Sequence, residues 1–265
     1  MWFSGALIAY LISFSEGAIR FNDGKTLNEP KVINGNDAQK GQFPWQVEIM
    51  SLKTNNRYIY CGGAIISHDW VLTSAVCLDQ VKSVTVFSGI NDLNDISGTT
   101  TDSKSYIVHE EFDSKTLQNN VGLVKLKTSL IFDENTKAIS LSSDVVGDGV
   151  NVTISGWGHS NKDYSSNITA ILQYTSVSTI KNSECAKFYG SDIVTTNVLC
   201  TYNPDLVKSP CVNDGGAPLI TNPDTDPQHV GIFSFIEDNG CEQNYPAVYT
   251  RTAQFLNWIK NKTGV

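Results

Sequence analysis

The chain has 265 residues, 40% hydrophobic and 17% charged, with a formal net charge of −8. That length holds one large domain or two small fused ones with an ample core. The acidic balance repels phosphate backbones and argues against a nucleic-acid partner, and twenty glycines suit the turns of an all-β fold.

Residues 1–17 contain an apolar run from Phe3 to Phe14, too short to span a bilayer, with small residues at Ser15 and Gly17. This reads as a secretory signal peptide, and the chain as a secreted, extracellular protein. No Lys or Arg precedes the run, so the terminal amine is the only positive group there; a buried N-terminal strand is the alternative. No later run is long enough for a membrane helix, and no membrane partner is expected. Six cysteines behind a signal peptide predict three disulfides in an oxidising compartment. The absence of any Cys-x-x-Cys pair speaks against zinc, and the sequence by itself leaves the pairing open.

A polar segment, residues 18–31, ends at Lys31 and leads into Val32-Ile-Asn-Gly35. Gly41-Gln-Phe-Pro-Trp-Gln-Val47, Tyr60-Cys-Gly-Gly-Ala-Ile-Ile66 and Trp70-Val-Leu-Thr73 follow. Such short runs, rich in Val, Ile, Tyr and Trp and broken by Gly and Asn, read as strands of a barrel or sandwich. The chain continues through Val71-Leu-Thr-Ser-Ala-Val-Cys77 and Leu117-Gln-Asn-Asn-Val-Gly-Leu-Val-Lys-Leu126 to a linker-like stretch, 140–151. Val152-Thr-Ile-Ser-Gly-Trp-Gly158 and Gln173–Ile180 read as further strands, and Cys211-Val-Asn-Asp-Gly-Gly-Ala-Pro-Leu219 comes next. A last helix is predicted from Thr252 through Lys262, with Thr252 as its cap and Leu256 and Ile259 on its docking face. Asn151, Asn167 and Asn261 open Asn-x-Ser/Thr sequons and are candidate glycosylation sites. There is no internal repeat and no low-complexity tract.

These stretches resemble the chymotrypsin-like serine proteases, almost without a break from Val32 to Val265. The resemblance implies an all-β fold: two six-stranded antiparallel Greek-key barrels, about 32–140 and 150–250, packed together with a C-terminal helix. It implies disulfides Cys61–Cys77, Cys185–Cys200 and Cys211–Cys241. It also makes residues 18–31 an activation peptide. A trypsin-like enzyme would cut after Lys31, and the freed ammonium of Val32 would pair with Asp214. The alternative is that Asp214 is only a turn residue of Asp-Gly-Gly.

The three chemical positions depart from the family's pattern. The nucleophile loop there reads Cys-x-Gly-Asp-Ser-Gly-Gly-Pro-Leu, and Gly215 stands where the serine belongs. Val76 stands at the histidine of Val-Leu-Thr-Ala-Ala-His-Cys, and Asn120 at the aspartate of Leu-x-Asn-Asp-Ile-Ala-Leu. A glycine cannot attack a carbonyl, a valine cannot take a proton, and an amide supplies no charge to an imidazole. The oxyanion-hole positions become Asn213 and Gly215. The specificity-pocket positions become Ser209 at the floor, Ser234-Phe235-Ile236 on the wall and Ala247 opposite; Ile236 and Ala247 replace glycines and narrow the slot.

The remaining histidines, His68, His109, His159 and His229, occupy none of these positions, and no base is evident beside Ser74. No metal motif appears, and no cofactor is expected. The sequence therefore predicts a secreted, catalytically inactive homologue that acts by binding another secreted protein: a protease, its substrate or a protease inhibitor. Cleavage after Lys31 would switch that binding. The alternatives are an endopeptidase of chymotrypsin-like specificity with a relocated nucleophile, and a decoy for protease inhibitors.

Overall fold

The computed structural model describes residues 35–158, 170–203, 210, 214–237 and 245–265. Lys31, Val32, His159, Asn167, Ser209, Cys211, Asn213 and Cys241 lie outside the described residues, as does the predicted signal peptide.

After a short strand β1 (Asn36–Asp37), six strands close the first barrel: β2 (Gln46–Lys53), β3 (Tyr58–Ile65), β4 (Trp70–Thr73), β5 (Val81–Ser88), β6 (Thr99–Val108) and β7 (Gly122–Leu126). They close in the order β2-β3-β4-β7-β6-β5. After β8 (Ser140–Leu141) come β9 (Asn151–Gly156), β10 (Gln173–Ile180), β11 (Val198–Thr201), β12 (Pro218–Thr221), β13 (Gln228–Phe235) and β14 (Ala247–Arg251). Their pairings run β10-β11-β14-β13-β12-β9, and β9 pairs back with β10 to shut a second ring. All ring pairs are antiparallel, and the two rings share one connection order. β1 adds to β10, and β8 adds in parallel to β13, so part of the linker-like stretch is itself strand.

The period-2 pattern explains the cores. Val47 and Ile49 of β2 join Val71, Val84, Val86 and Val124 inside the first barrel. Val152, Ile154, Val177, Leu219 and Tyr249 fill the second. A third cluster, with Phe43, Trp45, Ala64, Trp157, Leu172 and Ile220, joins residues of both. This explains why Gln46 and Glu48 are buried although they alternate with the core residues of β2. Their face of the strand meets the second barrel; Gln46 Oε1 accepts from Ser155 Oγ at 2.8 Å.

Among the described residues two α-helices complete the fold. α2 (Thr252–Thr263) ends at Gly264, whose φ of +79° suits a glycine cap. It docks through Thr252, Phe255 and Ile259, against Trp70, Leu72 and Leu123 of the first barrel and Ile232 of the second. Leu256 is only half-buried, so the docking face is rotated from the expected one. Thr252 is not the cap either: it opens the helix, and its hydroxyl meets His229 Nδ1 at 2.8 Å. α1 (Asn182–Tyr189) was not expected; it is short and polar, with Cys185 as its one buried residue.

Cys61 is bonded to Cys77, and Cys185 to Cys200. The second bond ties α1 to β11 across a separation of 15 residues. Replacing both of its cysteines by alanine should cost about 3 kcal/mol, the loop-closure value for that length. The midpoint of guanidinium unfolding measures it; an unchanged midpoint would mean that the helix holds β11 without the bond.

Candidate functional site

Three segments carry the residues singled out above. The first is a single helical turn, Ala75–Cys77, after β4. Ala75 and Cys77 are fully buried, and the bond to Cys61 pins the turn to β3. Val76 between them is half-buried and packs on the first-barrel core. Only its backbone is polar: the N–H donates to Asn120 Oδ1 at 3.0 Å, and the carbonyl accepts from Lys53 Nζ at 2.9 Å.

The second segment is the loop before β7. Leu117 and Asn119 hold φ of +55° and +53°, a region that Asn tolerates and Leu rarely enters. Contacts to the other half of the chain hold this loop: Gln118 Nε2 donates to the Ile193 carbonyl at 2.6 Å, and Asn197 Nδ2 to Asn119 Oδ1 at 3.2 Å. Thr250 Oγ1 donates to the Asn120 carbonyl at 2.9 Å. Asn120 is thereby wholly buried, and its Nδ2 donates to Ser234 Oγ at 2.8 Å. One end of the amide accepts and the other donates, so the side chain is satisfied without any charge.

The third segment is the turn from Asp214 to Ala217, closed by Ala217 N–H to the Asp214 carbonyl at 2.8 Å. Gly216 sits at φ +84°; a Cβ there would lie 2.2 Å from Thr73 Oγ1 and 2.4 Å from the Gly62 carbonyl oxygen. Only glycine fits. Gly215 differs. Its φ is outside the left-handed range, and a Cβ would meet nothing nearer than Cys77 Sγ at 3.7 Å. The missing side chain is therefore a matter of residue identity and not of backbone shape. Gly215→Ser should stay within about 1 kcal/mol of the parent, whereas Gly216→Ala should lose at least ~2 kcal/mol. Thermal unfolding of the two variants distinguishes them, and equal losses would refute the assignment of space to Gly215.

Asp214 is buried, and its Oδ1 accepts from Gly158 N–H at 2.9 Å. Gly156 and Gly158 leave the carboxylate its room: a Cβ on Gly156 would lie 1.9 Å from Asp214 Oδ1. The Asp214 carboxylate is thus seated against the Gly-Trp-Gly segment of the second barrel. Sequence reasoning missed a second carboxyl nearby. Glu48 is 5% exposed, and burial raises its pKa well above the ordinary carboxylate value, with the negative charge of Asp214 adding to the rise. The folded chain therefore keeps a proton that the unfolded chain releases above about pH 4.5. Stability from this group is present below that pH and is lost as pH rises toward the elevated folded pKa. Glu48→Gln should gain on the parent as pH rises, by up to about 1.4 kcal/mol per pH unit in that window. Denaturant titrations from mildly acidic to neutral pH check this; a gap that does not change with pH contradicts it.

Of the residues that the resemblance assigns to the pocket, Ser234 and Phe235 end β13, Ile236 follows directly after it, and Ala247 opens β14. Ile236 is half-buried and packs on the second-barrel cluster that includes Ala217, Phe233 and Ala247. Phe235 meets the ring of Tyr189 at 5.3 Å. The sequon residues Asn151 and Asn261 are both exposed.

The described histidines have structural partners. His68 stacks on Phe132 at 3.8 Å and its Nδ1 meets the Leu130 carbonyl at 2.8 Å. His109 lies between Phe255 and Trp258, and burial lowers its pKa. His229 and Thr252 form an imidazole–hydroxyl pair, but both are completely buried and burial holds the imidazole down at about 3. No substrate reaches them. Ser74 is buried too, with its hydroxyl 3.0 Å from Cys77 Sγ. Among the described residues no group of His, Cys, Asp and Glu could hold a metal ion.

The sequence matches the family model described as Trypsin over residues 32–259. The chain belongs to the trypsin family. It is 32% identical over 246 residues to a collagenase of Hypoderma lineatum, covering 90% of each chain. It is 32% identical to a brachyurin of Leptuca pugilator, covering 88% of this chain and 99% of that one. A trypsin of Xenopus laevis is 30% identical over 92% of this chain and 93% of its own. A solved structure of HL collagenase superposes with a TM-score of 0.81 at 32% identity, covering 88% of this chain and 99% of that one. The two six-stranded barrels and the C-terminal helix are thus those of the trypsin-like fold.

Proposed function

We propose that this trypsin-family chain is a secreted, non-catalytic member that acts by binding another secreted protein. The observation that carries the reading is the environment of Val76, Asn120 and Gly215. At the three positions that the sequence motifs assign to base, orienting acid and nucleophile stand a hydrocarbon, a neutral amide tied at both ends, and no side chain at all. Removing a whole triad costs about 2 × 10⁶ in turnover in subtilisin, and the residue of about 10³–10⁴ over water needs an intact oxyanion hole. Asn213 at one oxyanion position and Ile236 on the pocket wall depart further from what peptide hydrolysis needs. Ile236 also weighs against a decoy role for inhibitors that insert a large side chain.

The leader-like residues 1–17 and the two disulfides among the described residues support export through an oxidising compartment. The glycine-lined seat of Asp214 beside Gly158 supports retention of the switch, in which cleavage after Lys31 delivers the ammonium of Val32 to Asp214. Partners of that switch are an activating trypsin-like protease and a protease, substrate or inhibitor that reads the cut form.

The test compares the protein cleaved after Lys31 with a Val76→His/Asn120→Asp/Gly215→Ser variant on a panel of peptide amides. The parent should show no turnover above background, and the triple variant a measurable gain. Turnover by the parent, unaffected by a trypsin inhibitor added to silence the activating enzyme, would end the reading.

A further inference from the structure

We infer that one end of the first barrel is a docking surface for an acidic, extended segment of a partner protein. Five cations collect there from five points of the sequence: Arg57 in the β2–β3 turn, Lys82 near the start of β5, Lys104 in β6 and Lys127 just past β7, all exposed, and behind them the half-buried Lys53 at the end of β2, whose ammonium is bonded to the Val76 and Asp79 carbonyls. The ring order β7-β6-β5-β2 places their strands side by side. Among the described residues none of the five lies within ion-pair distance of a carboxylate; the four ion pairs use other lysines. The formal charge of the whole chain is −8, so this face is segregated against the overall field.

The backbone presents the lysines deliberately. In the β2–β5 ladder Lys53 faces Val81 and Leu52 faces Ser83, which leaves Lys82 as the extra residue of a bulge. In the β6–β7 ladder Ser103 faces Leu126 and Ser105 faces Lys125, which leaves Lys104 as the extra residue of another. A bulge re-aims the side chain it carries, and both lysines are exposed. Two hollows, of about 380 Å³ and about 600 Å³, lie on this face. Lys53 and Arg57 line the first; Lys82, Lys104 and Lys127 line the second. Lys82 Nζ donates to Asn56 Oδ1 at 2.6 Å, which ties a residue of the second hollow to the β2–β3 turn.

Two features select a protein segment over a dense polyanion. Tyr58 borders the first hollow at 56% exposure and Tyr106 the second at 37%, the amphipathic anchors that protein partners use. Asp79 and Asp102 also line the hollows, and their carboxylates repel a ligand that is negative throughout. A strand with spaced Asp or Glu and an apolar side chain between them matches both. The inference deepens the binding role above and rests on it in one respect, that the docked segment is left uncut.

The experiment titrates the protein cleaved after Lys31 into a short fluorescein-labelled peptide of spaced Asp and Glu around one Phe, read by anisotropy at low and raised salt. Binding should weaken about tenfold or more in Lys82→Glu/Lys104→Glu and in Arg57→Glu/Lys127→Glu, two pairs of exposed sites whose unfolding midpoints should stay at the parent value. The Asn/Gln version of the peptide should not bind, and salt should weaken the acidic one. Four outcomes overturn the inference: no binding by the parent; binding by both charge-reversed pairs as tight as the parent's; a sulfated polysaccharide held through these lysines while the peptide is ignored; or self-association of the parent, lost in the variants, without peptide binding. Mass analysis of the peptide afterwards separates the two claims. A cut peptide ends the non-catalytic reading, while the anisotropy still judges the docking surface.

Discussion

The two barrels meet at a contact that leaves no room for a side chain. Gly62 of β3 donates its N–H to the Gly215 carbonyl at 2.8 Å, and a Cβ on Gly62 would lie 2.8 Å from Ala217 Cα. From the other side Gly216 presses on Thr73 and on the Gly62 carbonyl. Everything at the site takes its place from this backbone-to-backbone approach. The Cys61–Cys77 bond hangs the Val76 turn from the same strand, and Asn120 reaches across to Ser234. Backbone contacts set this geometry, and of the three positions only Asn120 adds side-chain bonds to it, to Val76 N–H and to Ser234 Oγ.

That separation of scaffold from chemistry explains how a chain can keep the trypsin-like fold with a valine, an amide and a glycine at its centre. Function lives in the site and not in the fold. The amide of Asn120 accepts from Val76 N–H and donates to Ser234 Oγ, and it does both without a charge. The first barrel also presents exposed aromatic and basic side chains, Tyr58 and Tyr106 among them, where recognition needs no nucleophile.

Much of this was legible in the residues because glycine and cysteine punctuate the chain. Gly62, Gly156, Gly158 and Gly216 sit where a Cβ would strike backbone or a carboxylate, so the motifs around them report real steric demands. Strand β10 falls at Gln173–Ile180, where alternation placed it. Other elements were hidden for physical reasons. α1 has one buried residue, and the apolar face that Ala186 and Tyr189 add to it is too short to announce a helix. Thr252 reads as a cap by type, but its hydroxyl is taken by a histidine twenty-three residues earlier in sequence, a tertiary contact that no local pattern contains. Glu48 alternates with core valine and isoleucine as a solvent-facing residue should, and only the presence of a second barrel against that face makes it a buried acid.

The central claim is that nothing in this groove forms a bond with an electrophile. Intact-mass measurement of the Lys31-cleaved protein after saturating treatment with a fluorophosphonate tests it most directly, with an active trypsin labelled alongside and the activating enzyme removed beforehand. The account predicts an unchanged mass for the parent. A stoichiometric phosphonyl adduct on any hydroxyl of the chain would contradict it.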